Sequence, residues 1–325
     1  MRKDPRGNRS WAGRLAGPCL RPSLRLNPRL NPRLCLCLGL AGLALAGCSG
    51  SSAPAGVGLQ PTGSPTSGQA ASVPRPRHTV VVVLENHGYG DVIGSAQAPY
   101  INSLARTGAL FTRSYAITHP SEPNYLALFS GSTHGITSDQ CPTSLHAPNL
   151  AADLIAAGFS FTGYAEGLPA PGSEVCGVGG YARKHAPWTD FAGLPRATGQ
   201  PFSGFGSAGY AALPTVSFVV PDLCHDMHDC SVGTGDTWLR AHLAGYANWA
   251  MTHDSLLIVT WDEDDGGGGN RIATIFVGQQ VRPGRYRAPV DHYNVLRTIE
   301  QAYGLPYRGE TATHYPITGI WQGLG

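Results

Sequence analysis

The stretch His78-Thr79-Val80-Val81-Val82-Val83-Leu84-Glu85-Asn86-His87 decides the fold class. Residues 79–84 are a continuous apolar, β-branched run with no polar alternation. That is the pattern of a parallel strand covered on both faces. Three polar residues follow at once. In open α/β sheets, ligands bind beyond the carboxyl ends of the strands. A buried run that ends in Glu-Asn-His therefore predicts both a central strand and one edge of a site.

Outward from this strand the chain alternates. Pro99–Thr107 has helical spacing (Ile101, Leu104, Ala105) and stops at Gly108, and 148–157 repeats the pattern and stops at Gly158. Further strands are predicted at 160–165, 214–220, 255–261 and 272–277. The longest helix is expected from Asp236, read as its N-cap, to about residue 252, and a last helix at 292–303. Gly- and Pro-rich stretches at 167–180 and 193–209 read as loops. The alternation predicts an α/β fold, with a mostly parallel central sheet flanked by helices.

Polar clusters stand where the apolar runs end. Strand 214–220 leads to Asp222 and then Cys224-His225-Asp226-Met227-His228-Asp229. Strand 255–261 leads to Asp262-Glu263-Asp264-Asp265, and Asp291-His292 opens the last helix. One carboxylate at a strand end is ordinarily a cap, but four clusters at separate ends are not. Oxygen donors with imidazole suit a divalent cation: Mg, Ca, Mn or Zn. The segment His119-Pro120-Ser121-Glu122-Pro123-Asn124-Tyr125 offers Ser121 as a candidate nucleophile, with a plain helix N-cap as the alternative that the neighbouring acidic clusters disfavour. Pro123 falls early in a helix, where a missing N–H costs nothing, so Ser121 lies at a helix N-terminus that favours anions.

In order, Glu85-Asn86-His87, His119 to Tyr125, Asp226-x-His228, Gly235-Asp236-x-Trp238-Leu239, Trp261-Asp262-Glu263 and Asp291-His292-Tyr293 resemble the phosphoesterases that include acid phosphatases and non-specific phospholipases C. These belong to the alkaline-phosphatase-like superfamily, and the resemblance runs from about Val80 to Tyr303. It implies that Glu85, Asn86, Ser121, Asp262 and Glu263 surround a catalytic divalent metal and that Ser121 attacks phosphorus. By analogy with nucleotide pyrophosphatases, Asn124 would contact a phosphate oxygen. His228 and His292 are candidates for phosphate binding, leaving-group protonation or a second metal, with Asp222, Asp226 and Asp291 as partners. Lys184 and His185 either add positive charge at the phosphate or form an exposed loop pair. Where the family has Asn, His225 stands before Asp226. Cys141 is followed by proline with no suitably placed arginine, which argues against a sulfatase.

The expected activity is hydrolysis of small phosphate monoesters through a phosphoserine, acid-phosphatase-like. A phospholipase C-type phosphodiesterase acting on phospholipid is the alternative. A non-catalytic surface lipoprotein that binds metal or phosphate is the alternative of another class.

The N-terminus carries different information. Residues 1–47 hold nine Lys/Arg and a single acid, Asp4, whereas the rest carries 14 Lys/Arg against 20 Asp/Glu, a net −6. An acidic body gives no nucleic-acid footprint. Arginines up to Arg33 followed by apolar Leu34–Leu45 read as an export segment, too short to span a bilayer. Leu45-Ala46-Gly47-Cys48 resembles a bacterial lipobox, which implies lipidation of Cys48 and attachment to the outer face of a membrane. An ordinary secretory signal with a chance cysteine is the alternative. Residues 48–77, rich in Ser, Gly and Pro, read as a flexible tether, leaving 78–325 as the catalytic domain. Its four cysteines suggest two disulfides, Cys224 with Cys230 by proximity and Cys141 with Cys176, with zinc binding as the alternative although no C-x-x-C pair occurs.

Overall fold

The computed structural model describes residues 73–323. The export segment, Cys48 and the tether up to residue 72 lie outside them. Residues 73–77 sit on the body: Val73 packs on the core, and buried Pro76 accepts a hydrogen bond from Tyr303 Oη at 3.0 Å.

The elements run β1 (His78–Leu84), α1 (Tyr89–Val92), α2 (Pro99–Thr107), β2 (Ala109–Tyr115), α3 (Ser121–Ser130), α4 (Leu150–Ala156) and β3 (Phe161–Ala165). There follow β4 (Gly177–Val178), β5 (Tyr181–Ala182), β6 (Gly199–Pro201), β7 (Val216–Val220), α5 (Val232–Ala250), β8 (Ser255–Trp261), β9 (Arg271–Gly278), β10 (Gly284–Tyr286), β11 (Val290–Asp291) and α6 (His292–Tyr303). The central sheet has the order β10-β2-β9-β8-β1-β7-β3-β6, with β11 beside β2. All pairings in it are parallel except those of β9 with β2 and β8. This is the expected mostly parallel sheet.

The valine run explains its own placement. Val81 and Val83 point into a core shared with α3, α4 and α6, while Val80, Val82 and Leu84 point into one shared with α2 and α5. Each of these residues is fully buried, so β1 is covered on both faces as its lack of alternation requires. Because β1, β3, β7 and β8 are parallel neighbours, their carboxyl ends share one edge of the sheet. Glu85, Glu166, Asp222 and Asp262 are therefore delivered to the same side.

Two expectations need correction. The longest helix starts at Val232 with Ser231 as its N-cap, not at Asp236. Buried Asp236 lies within α5 and accepts from the Tyr100 and Ile101 amides at 3.1 and 2.7 Å, thereby capping α2 instead. Strand β6 and the β4–β5 hairpin occupy parts of the stretches read as loops. Both disulfides, Cys141–Cys176 and Cys224–Cys230, are present. Among the described residues, no helix is long and apolar enough to cross a membrane.

Candidate active site

Ser121 is the first residue of α3 and only 2 % exposed. Its Oγ donates toward Glu85 Oε2 at 3.0 Å and lies 3.3 Å from Glu263 Oε1. Glu85 and Glu263 stand directly after β1 and just beyond β8, which pair in register from His78↔Ser255 to Leu84↔Trp261. Asn86 turns with φ +45°, a left-handed conformation that asparagine tolerates, and its amide donates to Asp262 Oδ1 at 3.2 Å. Glu85, Asn86, Ser121, Asp262 and Glu263 are thus linked as neighbours.

This concentration of buried acid is electrostatically costly. Burial, reinforced by the Asp226 charge, pushes the Glu85 carboxyl well above the usual range. Burial also raises Asp262, with Glu85 and Glu263 adding to it, and raises Glu263. Asp262 Oδ2 and Asn86 Oδ1 are buried without a hydrogen-bond partner. Orphaned oxygen acceptors among mutually repelling carboxylates fit a divalent cation.

A second group shares Glu85. His185, 1 % exposed, places Nε2 at 3.3 Å from Glu85 Oε1 and Nδ1 at 3.3 Å from Asp226 Oδ2. Its ring stacks on Tyr125, whose hydroxyl donates to Glu85. His185 Nε2 and Asp226 Oδ2 also lack a hydrogen-bond partner, and the three residues offer donor atoms within 4.8 Å of one another. His185 is therefore not part of an exposed loop pair. Burial, with the Lys184 and His228 charges, holds its pKa well below the usual value, so the ring adds no positive charge of its own. Lys184, half-buried, does carry charge beside the site. Its Nζ lies 2.6 Å from Asp139, whose other oxygen accepts from the Glu122 amide at 3.0 Å.

Other predicted residues are redistributed. Asn124 is spent on bracing: Oδ1 accepts from the Ile117 and Thr118 amides, and Nδ2 donates to Thr118 O, Pro120 O and Glu263 Oε2. Asp226 takes the His228 amide at 2.8 Å, and His228 Nδ1 pairs with Asp229 at 2.7 Å. His228 lies next to His185, ring centroids 5.9 Å apart. Buried His292 reaches the site through Nε2, 2.7 Å from Asp262 O. Asp291 does not join this group, because it caps α6 in a capping box with Asn294. Nor does Asp222 partner His228 or His292. It caps its own turn and faces His225, whose Nδ1 lies 3.0 Å from Asp222 and 2.9 Å from Glu166.

Sequence reading missed Tyr125, His119, Asp139 and Glu166. Tyr125 was findable, since it lies four residues after Ser121 on the same helical face. His119 bonds Glu263 at 2.8 Å from within the quoted motif. Asp139 and Glu166 had no local signal.

The family model for the phosphoesterase family matches residues 95–306, well over half of the chain. The chain belongs to the phosphoesterase family. It is a hydrolase of phosphoric ester bonds. Over 260 residues, 79 % of this chain and 87 % of the relative, it is 54 % identical to a phosphatidylinositol-3-phosphatase of Mycobacterium tuberculosis. It is 30 % identical to an acid phosphatase of Aspergillus fumigatus over 70 % of its own length, spanning about half (55 %) of that longer protein. Among solved structures, a Vibrio parahaemolyticus protein of the alkaline phosphatase superfamily aligns with TM-score 0.51 and 16 % identity, covering 75 % of this chain and 71 % of that one. The fold is that of the alkaline phosphatase superfamily.

Proposed function

We propose that this protein is an exported phosphatase that hydrolyses phosphate monoesters through a phosphoseryl intermediate on Ser121. The observation that carries the reading is the Ser121 hydroxyl, held at a helix N-terminus between Glu85 and Glu263 with Asp262 and Asn86 behind them. A divalent cation held by Glu85, Asn86, Ser121, Asp262 and Glu263 would lower the pKa of that hydroxyl and offset charge on the phosphate. Mg, Ca, Mn and Zn are all compatible with these donors.

The protein's own groups do the rest. The carboxylates accept the Ser121 proton as its oxygen bonds phosphorus and the ester oxygen departs. His228, whose ring lies next to that of His185, is the group we assign to protonate the leaving oxygen. Lys184 and the Ser121 amide at the start of α3 stabilise the equatorial oxygens. Water then releases phosphate from Ser121. His292, fixed to the Asp262 carbonyl, acts by positioning that carboxylate.

The relatives' names support a monoester over a phospholipase C-type diester: one acts on a phosphatidylinositol phosphate, others are acid phosphatases. The preferred partner is a phosphorylated small molecule or lipid headgroup. The N-terminal residues support export and a lipid anchor at Cys48. Release of nitrophenol from p-nitrophenyl phosphate, but not from its phosphorylcholine diester, is expected and should vanish in Ser121→Ala. Preference for the diester would replace the reading with a phospholipase. Cleavage of neither would leave a non-catalytic binder.

A further inference from the structure

The start of α3 already holds an anion, and that anion is a side chain of the protein itself. The Glu122 amide belongs to the first turn of the helix, whose N–H groups have no partner within the helix and, with the dipole, favour negative charge. Asp139 Oδ1 accepts from this amide at 3.0 Å, and Asp139 Oδ2 takes the Lys184 ammonium at 2.6 Å. One carboxylate thus spans two donors. Carboxylate and phosphate oxygens are recognised by the same paired donor geometry, so a seat that fits Asp139 also fits a phosphate. Lys184 is the only lysine in residues 73–323, so no second ammonium serves the site.

The seat adjoins the nucleophile. Glu122 directly follows Ser121, the Asp139 charge helps to raise Glu263, and the Glu85 and Asp262 charges act on Lys184. Asp139 also raises buried Glu122, so its two attractions are opposed by two like charges. Its surroundings let it leave. The Asp139 side chain is 32 % exposed and that of Lys184 22 %, and an ion pair so open to water is weak. Both residues line a groove of about 510 Å³, which gives the carboxylate room to turn away. The chain is fixed just beyond it, where the Gln140 amide and Thr143 Oγ1 donate to Glu122 and Cys141 is bonded to Cys176. Movement of Asp139 therefore need not disturb α3.

We propose that Asp139 is an internal stand-in for phosphate, which occupies the seat between Lys184 and the Glu122 amide until a substrate phosphate displaces it and returns there as the product leaves. The proposal rests on the phosphatase reading and deepens it, because it makes Asp139 the residue that sets affinity for released phosphate. No covalent bond forms or breaks in this step; one anion replaces another on the same donors. A carboxylate that only braced the site would act in the opposite sense, since its loss would loosen Lys184 and weaken anion binding.

Asp139→Asn keeps the size and an acceptor for the Glu122 amide but removes the charge, and Asp139→Ala removes both. The probe is phenylphosphonate, a dianion without an ester bond, titrated by calorimetry with Mg or Zn ions present. In the parent it must displace a partly exposed ion pair and one charge-assisted hydrogen bond, together worth about tenfold, so Asp139→Ala should bind it about tenfold more tightly and Asp139→Asn should shift the same way. Inorganic phosphate should inhibit p-nitrophenyl phosphate cleavage more strongly by the same factor. Like-charge repulsion alone would give an equal gain with or without the ammonium, whereas displacement from Lys184 predicts a smaller gain when Asp139→Ala is made in a Lys184→Met background. Equal, weaker or absent binding by the Asp139 variants, or a gain unchanged by Lys184→Met, overturns the proposal. Tighter binding by the variants with no ester cleavage by any of the proteins supports the seat and sinks the phosphatase reading. Cleavage of p-nitrophenyl phosphate with phenylphosphonate bound equally by parent and variants sinks the seat alone.

Discussion

Replacing Glu85 by glutamine is expected to stabilise the metal-free protein although it removes a fully buried residue's charge. Glu85 is 0 % exposed, with Asp226, Asp262 and Glu263 as charged neighbours. Glutamine keeps the shape and can still accept from Tyr125 and bond Ser121. The folded parent either holds Glu85 as a charge among like charges, a repulsion of up to roughly 4 kcal/mol at about 4 Å and an effective dielectric constant of 20, or takes the smaller cost of keeping a proton that the unfolded chain releases, and glutamine avoids both. Allowing about 1 kcal/mol for weakened hydrogen bonds leaves a gain on the order of 2–3 kcal/mol. For a body of this size that is a rise of about 5–10 °C in Tm. Adding a divalent ion at about 100 times its Kd should raise the parent by roughly 2.7 kcal/mol. The variant, lacking one ligand charge, should gain little, so the gap between the two melting curves closes.

The same cluster sets a pH dependence. Below the unfolded carboxyl values of 4.5 and 3.8, Glu85 and Asp262 are protonated in both states. As pH rises above them, the unfolded chain releases protons that the folded one retains, so the chelated parent loses stability. Glu85→Gln should flatten that decline. Thermal melts with chelator and with added metal, from pH 4 to 8, measure all of this. A chelated variant that melts below the parent at pH 7.5, or an equal metal shift in both, refutes the reasoning.

Asp236→Ala should cost about 1 kcal/mol, since it removes both side-chain acceptors from the start of α2, and should lower Tm by a few degrees without loss of catalysis. Equal stability of variant and parent would show that the cap is dispensable. Cys48→Ala should abolish partitioning into the membrane fraction if the lipobox-like sequence is used. Identical detergent partitioning of variant and parent would rule the anchor out.

What the sequence disclosed and what it withheld follow from the range of the interactions. The valine run, its polar terminus and the counterpart at Trp261-Asp262-Glu263 are local patterns, and parallel pairing converts them into one site edge. Ser121 was legible because Pro123 marks the start of a helix. Cys224 and Cys230 are six residues apart, so their pairing could be guessed. Strand β2 was not anticipated, because Thr112, Arg113 and Ser114 interrupt its apolar residues and one register shift breaks the alternation. Asp236 looked like a local N-cap and instead caps a helix 135 residues earlier. His185 looked solvated, because nothing nearby reveals that Tyr125, Glu85 and Asp226 enclose it. Asp139 reaches Lys184 across 45 residues, a contact that exists only in the folded chain.

The central claim is that Ser121 is the atom donor that takes the phosphoryl group. Acid quenching of the metal-loaded protein during turnover of a 32P-labelled monoester, followed by peptide mapping, tests it directly. The account predicts an acid-stable phosphoryl group on the peptide containing Ser121, absent from Ser121→Ala, which should also lose turnover by several powers of ten. Near-parental turnover in Ser121→Ala, with no label on that peptide in the parent, would contradict it and assign the attack to water.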